Sequence, residues 1–190
     1  MRSTLVVCAL ALFLASGVSA QDDVWRNLAD RALALDRAGN YTDAVAVYRD
    51  ALRVAERFDR RDHRLLATLN WLAEAYEHEG RPAEAERHYR RALKIMEGTT
   101  GKNTASYAQV LTNLAGLCLE QGQTARAETM LAQSLATYAK VVPPEDASFA
   151  LARNTLASLM VVKGRYPEAE SLLHAAIAVL DVYLSLGRVC

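Results

Sequence analysis

Four glycines, Gly39, Gly80, Gly122 and Gly164, stand 41, 42 and 42 residues apart, and each is followed at the fifth position by an alanine: Ala44, Ala85, Ala127 and Ala169. A fixed period of this length is the mark of a stacked array in which one small unit is repeated. A single such unit cannot bury its own apolar face; neighbours stacked on it can. The recurrence constrains the fold more tightly than any other feature of the chain.

Each period has two helical halves. The clearest runs from Leu65 to Glu79, with Leu69, Leu72, Ala73 and Tyr76 at i, i+3, i+4 and i+7, the spacing of one helix face. Gly80 ends it with the backbone freedom a helix C-terminus uses. Pro82 opens the next half, where a missing N–H costs no helical bond. That second half sets Ala85, Tyr89, Ala92 and Leu93 inward, with Arg87, His88, Arg90, Arg91 and Lys94 mostly on another face. The other units follow: inward residues are Leu28, Ala32, Leu35, Ala44, Tyr48 and Ala51 in the first; Leu111, Leu114, Ala115, Cys118, Ala127, Leu131 and Leu135 in the third; and Leu156, Ala157, Met160, Ala169, Leu173, Ala176 and Ile177 in the fourth. The repeats span about residues 24–58, 65–97, 105–141 and 147–186. Polar links at 59–63, 97–103 and 143–146 join them, none of them a domain linker, so residues 21–190 read as one domain. Abundant alanine, the best helix former, points to an all-α chain.

The first 20 residues read as a segment apart from the fold. Arg2 supplies a positive start, Leu5 to Leu14 an apolar run too short to span a bilayer, and Val18-Ser19-Ala20 small residues before a polar Gln21-Asp22-Asp23. This is the pattern of a cleaved secretory signal, and it sets the expectation of an exported protein, periplasmic or secreted. No second span of membrane length follows. With 22 basic and 22 acidic side chains in the whole chain, nothing suggests a nucleic-acid surface. Cys118 falls on an apolar helix face and reads as a small core residue; Cys190, the last residue, is either a free thiol or an intermolecular bridge.

In detail, Leu69-Asn-Trp-Leu-Ala73, Tyr76, Gly80-Arg-Pro-Ala-Glu-Ala85-Glu86 and Tyr89-Arg-Arg-Ala92 resemble a tetratricopeptide repeat, and the 42-residue period with Leu111-Thr-Asn-Leu-Ala115 and Gly164-Arg-Tyr-Pro-Glu-Ala-Glu170 is similar to its kinesin-light-chain-type variant. Arg31 departs from the pattern at a position usually apolar. The resemblance implies a right-handed superhelical array of four helix-turn-helix pairs, an α-solenoid. It also implies a concave surface, formed by the first helix of each pair, that receives a protein or peptide. The lining would then be Asn70, Trp71, Glu74, Asn113, Glu120, Asn154 and Ser158. Asn70, Asn113 and Asn154 recur 43 and 41 residues apart. They are either a ladder that pairs with a bound backbone, since each offers a donor and an acceptor, or asparagines tolerated on an exposed face.

Catalytic and metal motifs are missing from the sequence. Gly98-Thr-Thr-Gly-Lys-Asn103 lacks the glycine spacing of a phosphate loop. His63, His78, His88 and His174 have no partner at zinc-ligand spacing and read as surface or loop residues. The expectation is a chain with no enzymatic activity, cofactor or metal. The last helix offers a further surface: Leu172, Ala175, Val179, Val182 and Leu186 are spaced 3, 4, 3 and 4 apart, a heptad seam. It is either a homodimer or partner interface, or the apolar end of a monomer.

Overall fold

The computed structural model describes residues 2–187, with side chains described for residues 20–179, 181 and 182. Every regular element in them is helical. In order these are α1 Arg2–Arg37, α2 Tyr41–Ala55, α3 His63–His78, α4 Pro82–Gly98, α5 Ala105–Glu120, α6 Thr124–Val141, α7 Ala147–Val162 and α8 Tyr166–Gly187. Along the chain they form four consecutive pairs, and a spaced glycine separates the members of each.

The glycines do the same work at all four places. Gly39, Gly80, Gly122 and Gly164 have φ of 78°, 76°, 72° and 73°. In each case the following N–H reaches back to a carbonyl five residues earlier: Asn40 to Leu35 at 2.9 Å, Arg81 to Tyr76 at 2.8 Å, Gln123 to Cys118 at 2.7 Å and Arg165 to Met160 at 2.8 Å. This left-handed cap satisfies carbonyls that the helix end would otherwise leave open. The polar links supply the opposite end. Asp62 accepts from the Arg64 N–H, Thr104 from Tyr107 and Asp146 from Ser148, capping α3, α5 and α7.

The chain divides into two compact units, Met1–Arg81 and Pro82–Cys190. In the first, α2 packs against both α1 and α3. Ala32, Ala44, Ala51 and Ala55 are fully buried, with Tyr48 and Leu69 beside them in the core. Trp25 is buried on α1, and its Nε1 donates to Thr68 Oγ1 at 2.9 Å. In the second unit, α5 pairs with α6 and α7 with α8, while α7 also lies against α5 and α6. One cluster, Ala115, Cys118, Ala127, Leu131, Ala157, Leu159, Met160 and Ala169, joins those two hairpins. Tyr138 stacks on Phe149 at 5.8 Å in a second cluster.

α1 runs without a break from Arg2 to Arg37, through the apolar run at its start and into the first repeat. Several expectations are corrected. α2 ends at Ala55, and Phe58 lies beneath the Arg64 guanidinium, 3.6 Å from its ring centroid. His88, expected at the surface, is only 8% exposed, because α4 turns it toward the buried side along with Tyr89. Ile177, expected inward, is 52% exposed. Leu172, assigned to an outer seam, is half-buried against the cluster between the last two hairpins. α8 is apolar around much of its circumference, so contact with α7 selects the inner side and residue type alone does not.

Candidate binding surface

In the first unit the structure brings together Asn70, Trp71 and Glu74 on α3. Asn70 is buried, and its Nδ2 donates to Glu74 Oε1 at 2.7 Å, one turn along the helix. Trp71 is half-buried, stacked on Trp25 at 6.2 Å with 19° between the rings and 6.3 Å from Tyr48. The His63 and Trp25 rings lie 81° apart, with centroids at 6.3 Å. Burial, followed by the Asp36 and Glu74 carboxylates, pushes the Tyr48 phenol up to about 12. The arrangement is an aromatic wall with an acidic, hydrogen-bonded margin. Trp25 and Tyr48 are buried and support Trp71 from beneath; Tyr48 lies inward as its spacing predicts, while the part played by Trp25 was not read from the sequence. The signal was available: with aromatics only 7% of the chain, two tryptophans in neighbouring repeats stand out.

In the second unit, α5 and α7 lie side by side. Asn113 is half-buried and Glu120 exposed on α5; Asn154 and Ser158 are exposed on α7. Ser158 Oγ donates to the Asn154 carbonyl at 3.3 Å. Gly116 falls on the stripe between Asn113 and Glu120, and a Cβ built there would meet only Thr155 Cγ2, at 3.9 Å. The apolar Leu151 and Val162, 53% and 61% exposed, flank the α7 part of this surface.

The three asparagines do not form one row. Asn70 and Asn154 stand ten residues before their closing glycines, Asn113 nine. One position turns a side chain by about 100° around a helix, so Asn113 corresponds to Trp71 and Thr155, while Thr112 corresponds to Asn70. Asn70 and Thr112 are 8% and 6% exposed, whereas Asn154, at the same position of the last pair, is exposed. On the last hairpin, Val179 is half-buried and Ala175 exposed, Val182 is 55% exposed, and the side chain of Leu186 lies outside the described residues, as does Cys190.

Among the described residues no group of three or more His, Cys, Asp or Glu could hold a metal ion, and no helix is long and apolar enough to cross a membrane. Cys118 is buried, and that burial raises its thiol above the ordinary range, which disfavours the reactive thiolate.

Glycine-closed helix pairs with alanine-rich cores within each unit define a helical-hairpin repeat protein. Two family models described as tetratricopeptide repeat match the sequence, one over residues 29–98 and the other over 64–140. The chain therefore carries tetratricopeptide repeats across that stretch. Among solved structures it is similar to BtubC (BKLC) from P. vanneervenii, at 24% identity over 87% of this chain and 71% of that one, with a TM-score of 0.68. It is also similar to a Podosopora anserina putative kinesin light chain of nearly identical TPR-like repeats, at 24% identity over 81% and 74%, with a TM-score of 0.67. At this identity the likeness speaks for the fold. No curated protein matches the sequence.

Proposed function

We propose that the chain is a non-catalytic scaffold that acts after export and holds a protein or peptide segment against the α5–α7 surface. The observation that carries the reading is the pair of adjacent helices turning Asn154 and Ser158 outward and leaving Asn113 half-exposed, between the exposed apolar Leu151 and Val162. Amides and a hydroxyl can pair with an extended backbone, and the valine and leucine can take its apolar side chains. Gly116 lets a backbone approach closely at the same place. The test is crosslinked capture from the native compartment with the parent protein and an Asn113→Ala, Asn154→Ala variant. The variant should melt with the parent and retain much less partner. Equal retention by the two proteins would remove this surface from the proposal.

A second reading, self-association through the last hairpin, draws on Val161 and Ile177, which are 47% and 52% exposed. Their equivalents one repeat earlier, Leu119 and Leu135, pack into the clusters that receive α7. An apolar face of this kind on a folded protein favours an interface. Light scattering after size exclusion tests it: a dimer that dissociates with Ile177→Glu supports self-association, and a monomeric parent removes it.

A further inference from the structure

We infer that the mature protein begins with a pyroglutamyl residue, formed from Gln21. The inference rests on the proposed cleavage between Ala20 and Gln21. Cleavage there would leave glutamine as the amino-terminal residue. Its free α-amine can attack its own side-chain amide carbon, Cδ. The new Cα-amine N–Cδ bond closes a five-membered lactam, the Cδ–Nε2 bond breaks, and the side-chain nitrogen leaves as ammonia after taking up the proton the amine gives up. No oxidant or further reactant enters the balance.

The surroundings of Gln21 favour the uncharged product. Gln21 lies in the helical run of α1, and within the mature chain it would open that helix. The first four N–H groups of a helix have no intrahelical acceptor, so turning this nitrogen into a lactam removes no helical hydrogen bond. A free ammonium there would oppose the positive end of the helix dipole, whereas the lactam carries no charge. In the uncleaved chain Gln21 lines an open cleft with Ala20, Val24, Val54 and Arg57. The adjacent Asp22 carboxylate is already engaged, by Arg64 at 2.6 Å and Arg26 at 2.7 Å. Asp23, an exposed acid in the same turn, suits the dipole whether or not the amine is charged.

Tertiary anchoring begins at once beyond this residue: Asp22 binds Arg64 on α3, and Trp25 binds Thr68. The new terminus would therefore sit on a held helix start, where closing the lactam blocks the point at which an aminopeptidase begins.

The test is the intact mass of the protein recovered from the exported fraction, with the Gln21→Glu variant beside it. The expected parent mass is that of Gln21–Cys190 less one ammonia, and amino-terminal sequencing is blocked until pyroglutamyl aminopeptidase is added. Glutamate closes the same ring only slowly, by loss of water, so the variant should keep a free amine and its full mass. A parent that starts at Gln21 with full mass and a free amine overturns the inference while leaving the cleavage reading intact. A chain that starts at another residue, or keeps residues 1–20, overturns the cleavage reading and this inference with it.

Discussion

The guanidinium of Arg64 reaches the Asp22 carboxylate at 2.6 Å, joining α1 to the start of α3. The same group holds Asp62 through Nε and Nη2, and it lies over the Phe58 ring. Both carboxylates and the guanidinium are largely shielded, with side chains 14% to 21% exposed. Removing the cation would leave two partly buried anions together. We expect Arg64→Met to cost about 2 kcal/mol, between the values for surface and buried pairs, measured by urea unfolding at neutral pH. The hydrogen bond from the Arg64 side chain holds the Asp62 carboxyl below its usual value. A depressed folded pKa contributes stability above the unfolded value, near 4, that is lost as pH falls through the folded one. The parent should therefore lose stability below about pH 4, and Arg64→Met should lose less over the same range. Equal acid sensitivity would show that the pair contributes little.

In the second unit, Ser134 Oγ sits 2.7 Å from Thr112 Oγ1, and the two oxygens lie 2.7 and 3.0 Å from the Ala108 carbonyl; with one proton each, the hydroxyls make two of these three bonds at a time. Ser134 is fully buried and Thr112 6% exposed. Each lost hydrogen bond should cost about 1 kcal/mol. In the arrangement where Thr112 donates to Ser134 and Ser134 to the carbonyl, the two bonds form one chain, so Ser134→Ala and Thr112→Val should couple by about 0.5 to 1 kcal/mol. A double-mutant cycle in urea measures it. Strict additivity would place the stabilisation in the carbonyl bonds and none in the hydroxyl pair.

Much of this architecture is readable from local chemistry. Gly39, Gly80, Gly122 and Gly164 each demand a left-handed turn, and Asp62, Thr104 and Asp146 are cap residues placed just before apolar periods. Such features depend on a few neighbouring atoms, so residue type and spacing reveal them. The surface was less legible. Counting from one asparagine to the next concealed a one-residue offset that appears on counting back from the closing glycine. His88 is surrounded in sequence by arginines, yet its position on α4 is what buries it. Leu172 and Ile177 are both apolar on a helix with two apolar stripes, and only the packing of α7 decides between them. Trp25 gains its role from Thr68 and Trp71, far away in sequence.

Three phenols provide a test at alkaline pH. Burial first, together with nearby carboxylates, raises Tyr48, Tyr107 and Tyr138 to about 12; for Tyr107 the Glu97 carboxylate also accepts the phenol proton's hydrogen bond, at 2.9 Å. A raised folded pKa means that the native state keeps its proton after the unfolded chain, with phenols near 10, has lost it. The associated stability is intact below about pH 10 and is lost as pH rises toward about 12. Urea unfolding across that range should show a steep decline, shallower in Tyr48→Phe. Tyrosinate absorbance of the native protein should lag that of the urea-unfolded chain. Coincident titrations would show that these phenols are not held neutral by the fold.

Two glycines of α5 should respond in opposite directions to the same change. Gly122, just beyond the helix, has φ of 72°, and although nothing within 4 Å would meet an added Cβ, a left-handed backbone disfavours any L side chain by about 1 to 2 kcal/mol. Gly122→Ala should therefore destabilise by that amount without any steric clash. Gly116 is inside the helix, where glycine costs about 1 kcal/mol relative to alanine, and its added Cβ would make only an ordinary contact with Thr155. Gly116→Ala should stabilise the fold by about that much. If Gly116 serves close approach of a bound segment, the more stable variant should also retain less partner in the capture experiment, whereas Gly122→Ala should reduce stability and leave retention by the folded fraction unchanged. A Gly116→Ala protein that is stabilised and binds as the parent does would leave the glycine without a part in recognition.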